Sequence, residues 1–323
     1  MNRFLSTTAA AALAALLPDA QAPAEVPATT PRPAPTAEVL PPFETARTDA
    51  YSWMGRFGST NCAWFDLGDG VLLLDTGGTA KDTKNLLAEV KKSVPDKPVR
   101  WIAMTHLHPD SNEGFEAMIP TDVTLIVNEH ALEYLQGAFR GATGKAPTIL
   151  AVADTVVLRG KAQSLEIHAV PGSAHTDHDL WIWAPAGAVA YVGDLVTPTR
   201  CPIVSDPRAD PKGWLAVLDK IEALHPQALV ASRGPATAEA AAEIRRTRAY
   251  LKRTVDFIRE MKAKNAPEAR VSGELFAKKL GEYCPMQMDT LNALELYRRM
   301  QPDGTFAPMK PTRPPAPAPG DKK

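Results

Sequence analysis

The chain has 323 residues, of which 45% are hydrophobic and 23% charged, the ordinary balance of a folded globular protein. A formal net charge of −1 leaves no basic excess for nucleic acid or an anionic lipid surface, so neither is expected as a partner. No apolar run approaches the roughly 20 residues that cross a bilayer as a helix, so no integral membrane segment is expected.

Proline is unevenly spread: of 30, eight lie between Pro18 and Pro42 and seven between Pro302 and Pro319. The chain opens Met1-Asn2-Arg3, then runs apolar or small from Phe4 to Leu17, too short to span. With the small-x-small site Ala22-Pro23-Ala24, residues 1–24 read as a bacterial-type signal peptide, and the mature chain as periplasmic or secreted. An Ala-rich cytosolic N-terminus is the alternative. Residues 25–45 read as a Pro/Ala-rich linker and 301–323 as a Pro-rich disordered tail, both too poor in apolar side chains to offset their ordering entropy. The folding unit is then 46–300, roughly 255 residues, long enough to bury one large core.

Along that unit, Cys62–Leu67 and Val71–Asp75 are strand-like runs joined by Gly68-Asp69-Gly70. Residues 80–93 have helical apolar spacing, and Val99–Thr105 is a continuous apolar strand. A strand at Val123–Val127 precedes a helix over 131–139, and further strands fall at Leu165–Val170, Leu180–Trp183 and Val189–Val192. Trp181 and Trp183 alternate around Ile182, share a face and are expected in the core. A helix at Trp214–Leu224, a strand at Ala228–Ala231, a long helix over 236–263 and a helix over 287–299 complete the pattern. Arg245, Arg246 and Arg248 on the long helix are expected to form a solvated face. Strand pairs mixed with helices point to an α/β layered domain of two covered sheets. The segments around 51–60, 139–150 and 197–211 are expected as loops that would set substrate choice.

Of three cysteines, Cys62 lies in an apolar run and is expected as a buried thiol, while a Cys201–Cys284 bridge is one open pairing. None has the paired spacing of a metal site.

The chemistry gathers at strand ends. The strand VRWIAMT feeds Thr105-His106-Leu107-His108-Pro109-Asp110-Ser111, and two imidazoles two residues apart in extended chain point to one side. Pro171-Gly172-Ser173-Ala174-His175 ends another strand, and Val192-Gly193-Asp194 a third. Taken in order, these segments resemble the metallo-β-lactamase fold superfamily, with the match running from about Asn61 to Pro235. The resemblance implies a four-layer αββα sandwich with extra C-terminal helices. Asp75 in LLLDTGG matches the carboxylate that braces the metal loop. His106, His108 and Asp110 match the His-x-His-x-Asp motif, His175 the third histidine, and Asp194 the bridging carboxylate.

Four positions depart from the pattern. Ser111 stands where many relatives carry histidine, Glu113 where glycine is usual, and Thr197 near the lysine that some class B enzymes use for the lactam carboxylate. The last motif, normally Pro-Gly-His-Gly, reads Ser232-Arg233-Gly234-Pro235. His106, His108 and His175 therefore complete one zinc site with an open position, while the second site keeps only Asp110 and Asp194. Arg233 is expected at or beside the second-metal position, paired with both carboxylates; a surface arginine is the alternative. Asp110 is then the residue expected to orient or deprotonate the nucleophilic water. His178 is open between a replacement ligand, a proton shuttle and a cleft-lining side chain; His130 is expected in a helix-capping region, and His168 and His225 as structural or exposed. The implied function is an exported hydrolase with one tight Zn2+ and a doubtful second site, acting on an ester, thioester, lactone or β-lactam of a small molecule. The alternative is a catalytically degraded zinc- or ligand-binding protein on the same fold.

Overall fold

A computed structural model describes residues 45–118, 122–135, 147–278, 280–281 and 283–307. The expected signal peptide, nearly all of the expected linker and most of the Pro-rich tail lie outside the described residues.

The first sheet has seven strands in chain order: β1 (Thr45–Asp49), β2 (Ser52–Phe57), β3 (Thr60–Asp66), β4 (Val71–Leu74), β5 (Val99–Ala103), β6 (Thr124–Asn128) and β7 (Thr148–Val152). β1 to β4 form an antiparallel meander, and β4 to β7 pair in parallel. The second sheet holds β8 (Thr155–Arg159), β9 (Ser164–Ala169), β10 (Leu180–Ala184) and β11 (Val189–Tyr191) as antiparallel neighbours. Its far edge is β12 (Ala228–Val230), parallel to β11. The helices are α1 (Ala80–Ser93), single turns α2 (Pro109–Asn112) and α3 (Leu132–Leu135), then α4 (Pro211–Ala223), α5 (Ala240–Ala263), α6 (Glu268–Lys278) and α7 (Met286–Arg299).

Three hydrophobic cores separate four layers. Between the sheets, Phe65, Leu72, Leu74, Ile126, Ile167, Ile182, Tyr191 and Val230 interdigitate. The outer face of the first sheet sends Trp64, Leu73, Ile102 and Leu125 against Leu86 and Val90 of α1. The outer face of the second sends Trp181, Trp183 and Val192 against Trp214 and Leu218 of α4 and Ile244 and Leu251 of α5. Strict alternation produces this: Trp181 and Trp183 face the helices, while Leu180, Ile182 and Ala184 of the same strand face the other sheet. The architecture is an αββα sandwich, with the last three helices added on one side.

Helix boundaries follow capping chemistry. Thr79 Oγ1 accepts from Asp82 N at 3.2 Å at the start of α1, and Lys91 and Lys92 close its last turn. Asp210 accepts from Lys212 N at 3.0 Å before Pro211 opens α4. The long helix expected from 236 begins at Ala240, because Thr237 still pairs with Leu229 through two backbone hydrogen bonds of 2.9 and 3.0 Å. The expected helix over 131–139 is described only as a 3-10 turn at Glu129–Ala131 running into α3, with the Asn128 side chain accepting from His130 N. The loop expected around 51–60 is mostly β2, and β1, β7, β8 and α6 are strands and a helix that the pattern did not announce. Their sequences are polar or half-exposed: β8, TVVLR, buries none of its residues fully. The Arg245–Arg248 stretch is not simply a solvated face: Arg246 is half-buried and pairs with Glu243, and Arg248 reaches Asp219 and Glu222 of α4.

Cys62 is a buried free thiol, and Cys201 is bonded to Cys284. The bridge ties the loop after β11 to the segment before α7 across a sequence separation of 83. Closing so long a loop restricts the unfolded chain, so reduction or the pair Cys201→Ser and Cys284→Ser is expected to lower stability by about 2–5 kcal/mol. Denaturant unfolding of the oxidised and substituted proteins checks this, and coincident midpoints would contradict it.

Candidate metal centre

The site forms where parallel strands end. β4 leaves its sheet at Asp75, which turns the chain with φ of 60° and aims its carboxylate at the end of β5. Thr105 donates to it twice, through N and Oγ1, both at 2.8 Å, and Asn112 Nδ2 donates at 2.7 Å. The same Asn112 amide donates to His106 O at 2.8 Å, locking the start of the His-x-His segment. Burial pushes the Asp75 carboxyl up to about 7 against the pull of these donors. Gly193, with φ of 57°, lets the Asp194 loop close on β5, since a Cβ there would lie 2.8 Å from Thr105 Cβ.

His106, His108 and His175 meet edge to edge, with ring centroids 4.7 to 5.0 Å apart. Asp194 Oδ2 lies 3.9 Å from His106 Nε2 and 3.6 Å from His175 Nε2. Donor atoms of these four residues all fall within 4.8 Å of one another. Asp110 is outside this group.

Hydrogen bonds on the outer side of each ring decide which nitrogen faces inward. The Ile203 carbonyl can only accept, so His175 Nδ1 donates to it at 3.1 Å and Nε2 carries a lone pair. Thr105 Oγ1 gives its proton to Asp75, so His106 Nδ1 donates to that oxygen at 2.9 Å, and His106 Nε2 is also a lone pair. His108 is reversed: Nε2 donates to Asp206 Oδ2 at 2.8 Å, and Nδ1 turns inward, 3.2 Å from His175 Nε2. Burial keeps His175 neutral, lowering its pKa to about 4, and drives His106 far below the usual histidine range. His106 Nε2 and Asp194 Oδ1 are buried without a hydrogen-bond partner among the described residues. Inward lone pairs and an unpartnered carboxylate oxygen are the donor set of a divalent cation, and the residues fit one.

Arg233, in the loop after β12, pairs with the same Asp194 oxygen that lies nearest the histidines. Its Nε donates to Asp194 Oδ2 at 3.0 Å and its Nη2 to Asp110 Oδ2, so one guanidinium bridges both carboxylates. Burial opposes the charge, but Asp194 and Asp110 override it and raise the Arg233 pKa above the ordinary arginine value. Asn61 fixes the loop that carries it, donating to Ala231 O at 2.8 Å and Gly234 O at 2.7 Å.

Ser111 is buried away from the cluster; its carbonyl accepts from Thr76 N and Gly77 N at 3.3 and 2.9 Å. Beside Glu113, Gly114 takes the tight position, where a Cβ would lie 2.8 Å from Gly77 O. Thr197 turns its carbonyl to Arg246 Nη2 at 2.9 Å. His178 does not join the cluster: its Nε2 accepts from Arg208 Nη1 at 3.3 Å, and burial lowers its pKa to about 3. The His175 loop is held by Asp179, which accepts from Thr176 N and Oγ1 at 2.8 and 2.7 Å.

Sequence reasoning missed Asp206 and Arg208. Burial would raise the Asp206 carboxyl, but hydrogen bonds from His108 and Arg208 more than offset it and hold it below the usual range. Arg208 Nε and Nη2 reach the two Asp206 oxygens at 3.1 and 3.0 Å. The only local signal is the turn Asp206-Pro207-Arg208, in which Arg208 N donates to Asp206 Oδ1 at 2.7 Å.

The sequence profile of the metallo-beta-lactamase superfamily matches residues 55–233, more than half of the chain, from the second strand to Arg233. The chain belongs to the metallo-beta-lactamase superfamily. A metallo-beta-lactamase from Pontibacter korlensis superposes with a TM-score of 0.55 at 20% identity, over 65% of this chain and 99% of that one. A double mutant of the sec-alkyl sulfatase PisA1 superposes with a TM-score of 0.63 at 17% identity, over 85% of this chain and 52% of that one. In sequence, a linear primary-alkylsulfatase from Pseudomonas sp. (strain ATCC 19151) is 37% identical over 51 residues, 16% of this chain and 10% of the relative. The chain thus spans about half of the sulfatase structure, and the sequence match covers a tenth of the curated relative. Superposition at these identities establishes the shared fold.

Supports behind metal-binding histidines govern affinity, so Asp206→Ala is expected to weaken divalent-metal binding by about 10–100-fold. Chelator-competition titration measures this, and an unchanged affinity would show that Asp206 does not orient His108.

Proposed function

We propose that the chain is an exported zinc-dependent hydrolase with one tightly held ion, acting on an acyl-type bond of a small molecule: an ester, thioester, lactone or β-lactam. The observation that carries this reading is the pairing of a three-histidine, one-carboxylate donor set with an arginine that engages both remaining carboxylates. His106 and His175 would hold the ion through Nε2, His108 through Nδ1, and Asp194 through its carboxylate. A zinc ion bound there supplies Lewis acidity and lowers the pKa of a water from 15.7 toward about 7.

The chain's own groups divide the remaining work. Arg233 is a permanent cation fixed by two carboxylates, and it offsets charge that would otherwise stand uncompensated in the cleft. Asp110 is 40% exposed and anchored on one side by Arg233, so its carboxylate can accept and pass on a proton at the mouth of the site. Asp75, Ile203 and Asp206 keep the three imidazoles in the tautomers that point lone pairs inward.

A sulfate ester is the second substrate class, favoured by one observation: the sulfatase superposition extends over 85% of the chain, against 65% for the lactamase. Export is supported by the basic and apolar start of the chain and by the Cys201–Cys284 bridge, which is typical of oxidising compartments.

A panel of chromogenic carboxylic esters, thioesters, lactones, a cephalosporin and an aryl sulfate tests the reading. Turnover of at least one is expected to be chelator-sensitive, restored by zinc, and at least about 100-fold lower in His108→Ala. Equal rates in wild type and His108→Ala, or no chelator-sensitive turnover across the panel, would favour a non-catalytic zinc-binding protein instead.

A further inference from the structure

The loop between β11 and α4 carries two of the three supports behind the metal-centre histidines. Ile203 O accepts from His175 Nδ1 at 3.1 Å, and Asp206 Oδ2 accepts from His108 Nε2 at 2.8 Å. Residues 201–205 have no regular secondary structure, and their backbone groups make no backbone–backbone hydrogen bond among the described residues. Without a ladder, the path of such a segment is fixed by the side chains that satisfy its polar groups.

Those side chains come from α7, which lies beyond residues 55–233 that match the superfamily profile. Asn292 is fully buried and brackets Ile203: its Oδ1 accepts from Val204 N at 2.9 Å, and its Nδ2 donates to Pro202 O at 2.8 Å. The same amide donates to Tyr250 Oη of α5 at 2.7 Å, so a second helix fixes its plane. Arg299, 4% exposed, follows about two helical turns later on the same side of α7. Its Nη1 donates to Asp206 O at 3.1 Å, its Nη2 to Ala209 O at 2.6 Å and its Nε to Ala307 O at 3.0 Å. The Cys201–Cys284 bridge ties the start of the loop to the segment just before α7.

A helix face that only packs on an apolar core needs neither a buried amide nor a buried guanidinium, and each is costly unless its hydrogen bonds are made. Here both spend most of those bonds on the backbone of one loop. We propose that Asn292 and Arg299 are positioning residues for the metal centre: α7 places the Ile203 carbonyl and Asp206, and through them sets the rings of His175 and His108. Outer partners that orient metal-binding imidazoles tune affinity and geometry without touching the ion. This role presupposes that the histidine cluster binds a metal and is independent of the reaction catalysed there.

Titration of Co2+ into the oxidised, full-length, metal-stripped protein tests it, with affinity read by chelator competition and ligand geometry by the visible spectrum of the bound ion. Asn292→Leu keeps the volume and removes the hydrogen bonds; an affinity loss of about tenfold and altered cobalt bands are expected. Arg299→Lys keeps the charge but not the planar fork, so a smaller loss in the same direction is expected, and it decides the matter if Asn292→Leu fails to fold. Leu275→Ala opens a cavity in the same core from the neighbouring helix α6. It is expected to lower the melting temperature while affinity and spectrum stay as in wild type. Wild-type affinity and spectrum in the α7 variants that fold, or an equal loss in Leu275→Ala, would overturn the positioning role alone. A wild type that takes up no cobalt would overturn the metal-centre reading and the positioning role with it.

Discussion

A buried carboxylate oxygen and three inward-facing imidazole nitrogens form the demand around which the metal-centre edge of this sandwich is organised. Asp194 Oδ1 and His106 Nε2 lie in the interior with no partner among the described residues. Leaving such groups unsatisfied costs about 1–3 kcal/mol each, and more where charge is involved. The surrounding chain does not relieve that cost by turning the groups away; it spends its hydrogen bonds holding them in place. Each imidazole has one support on its far side, a threonine braced by Asp75, the Ile203 carbonyl, or Asp206 braced by Arg208. A cation at the focus would resolve the conflict, and the layered fold anchors the focus, since the strands that deliver these loops pack into the three cores.

Arg233 gives the centre its individual character. Where the superfamily pattern carries a histidine, this chain places a group that is always charged and donates in a fixed plane. Its two hydrogen bonds use one oxygen of Asp194 and one of Asp110, so Asp194 Oδ2 lies between Arg233 and the histidines, 3.6 Å from His175 Nε2, while Oδ1 is buried without a hydrogen-bond partner among the described residues. A bound ion could supply the same neutralisation, but it would depend on ligands and on concentration; the arginine is covalently part of the chain. The cleft is thus divided into a side built for an exchangeable cation and a side with a resident one.

Much of this was legible in the sequence because it is local. His106 and His108 share a side by strand alternation, Asp75, His175 and Asp194 each follow an apolar run, and Trp181 and Trp183 announce a two-faced strand by spacing alone. The charge pairing of Arg233 followed from two carboxylates lacking their usual ligands. What stayed hidden depends on distant packing. Asp206 stands in a stretch with no periodicity, and nothing near it in sequence reveals that it ends 2.8 Å from His108 Nε2, 98 residues earlier. The edge strand β1 was hidden for another reason: its sequence, TARTD, is polar although the strand is largely buried.

The account turns on whether Arg233 takes the place of a second metal. The direct measurement is zinc per chain by elemental mass spectrometry after gel filtration in metal-free buffer, on wild type and on Arg233→His. One zinc in wild type, rising toward two when a histidine replaces the arginine, is the predicted result. Two tightly bound zincs in wild type, with Arg233 present, would contradict it.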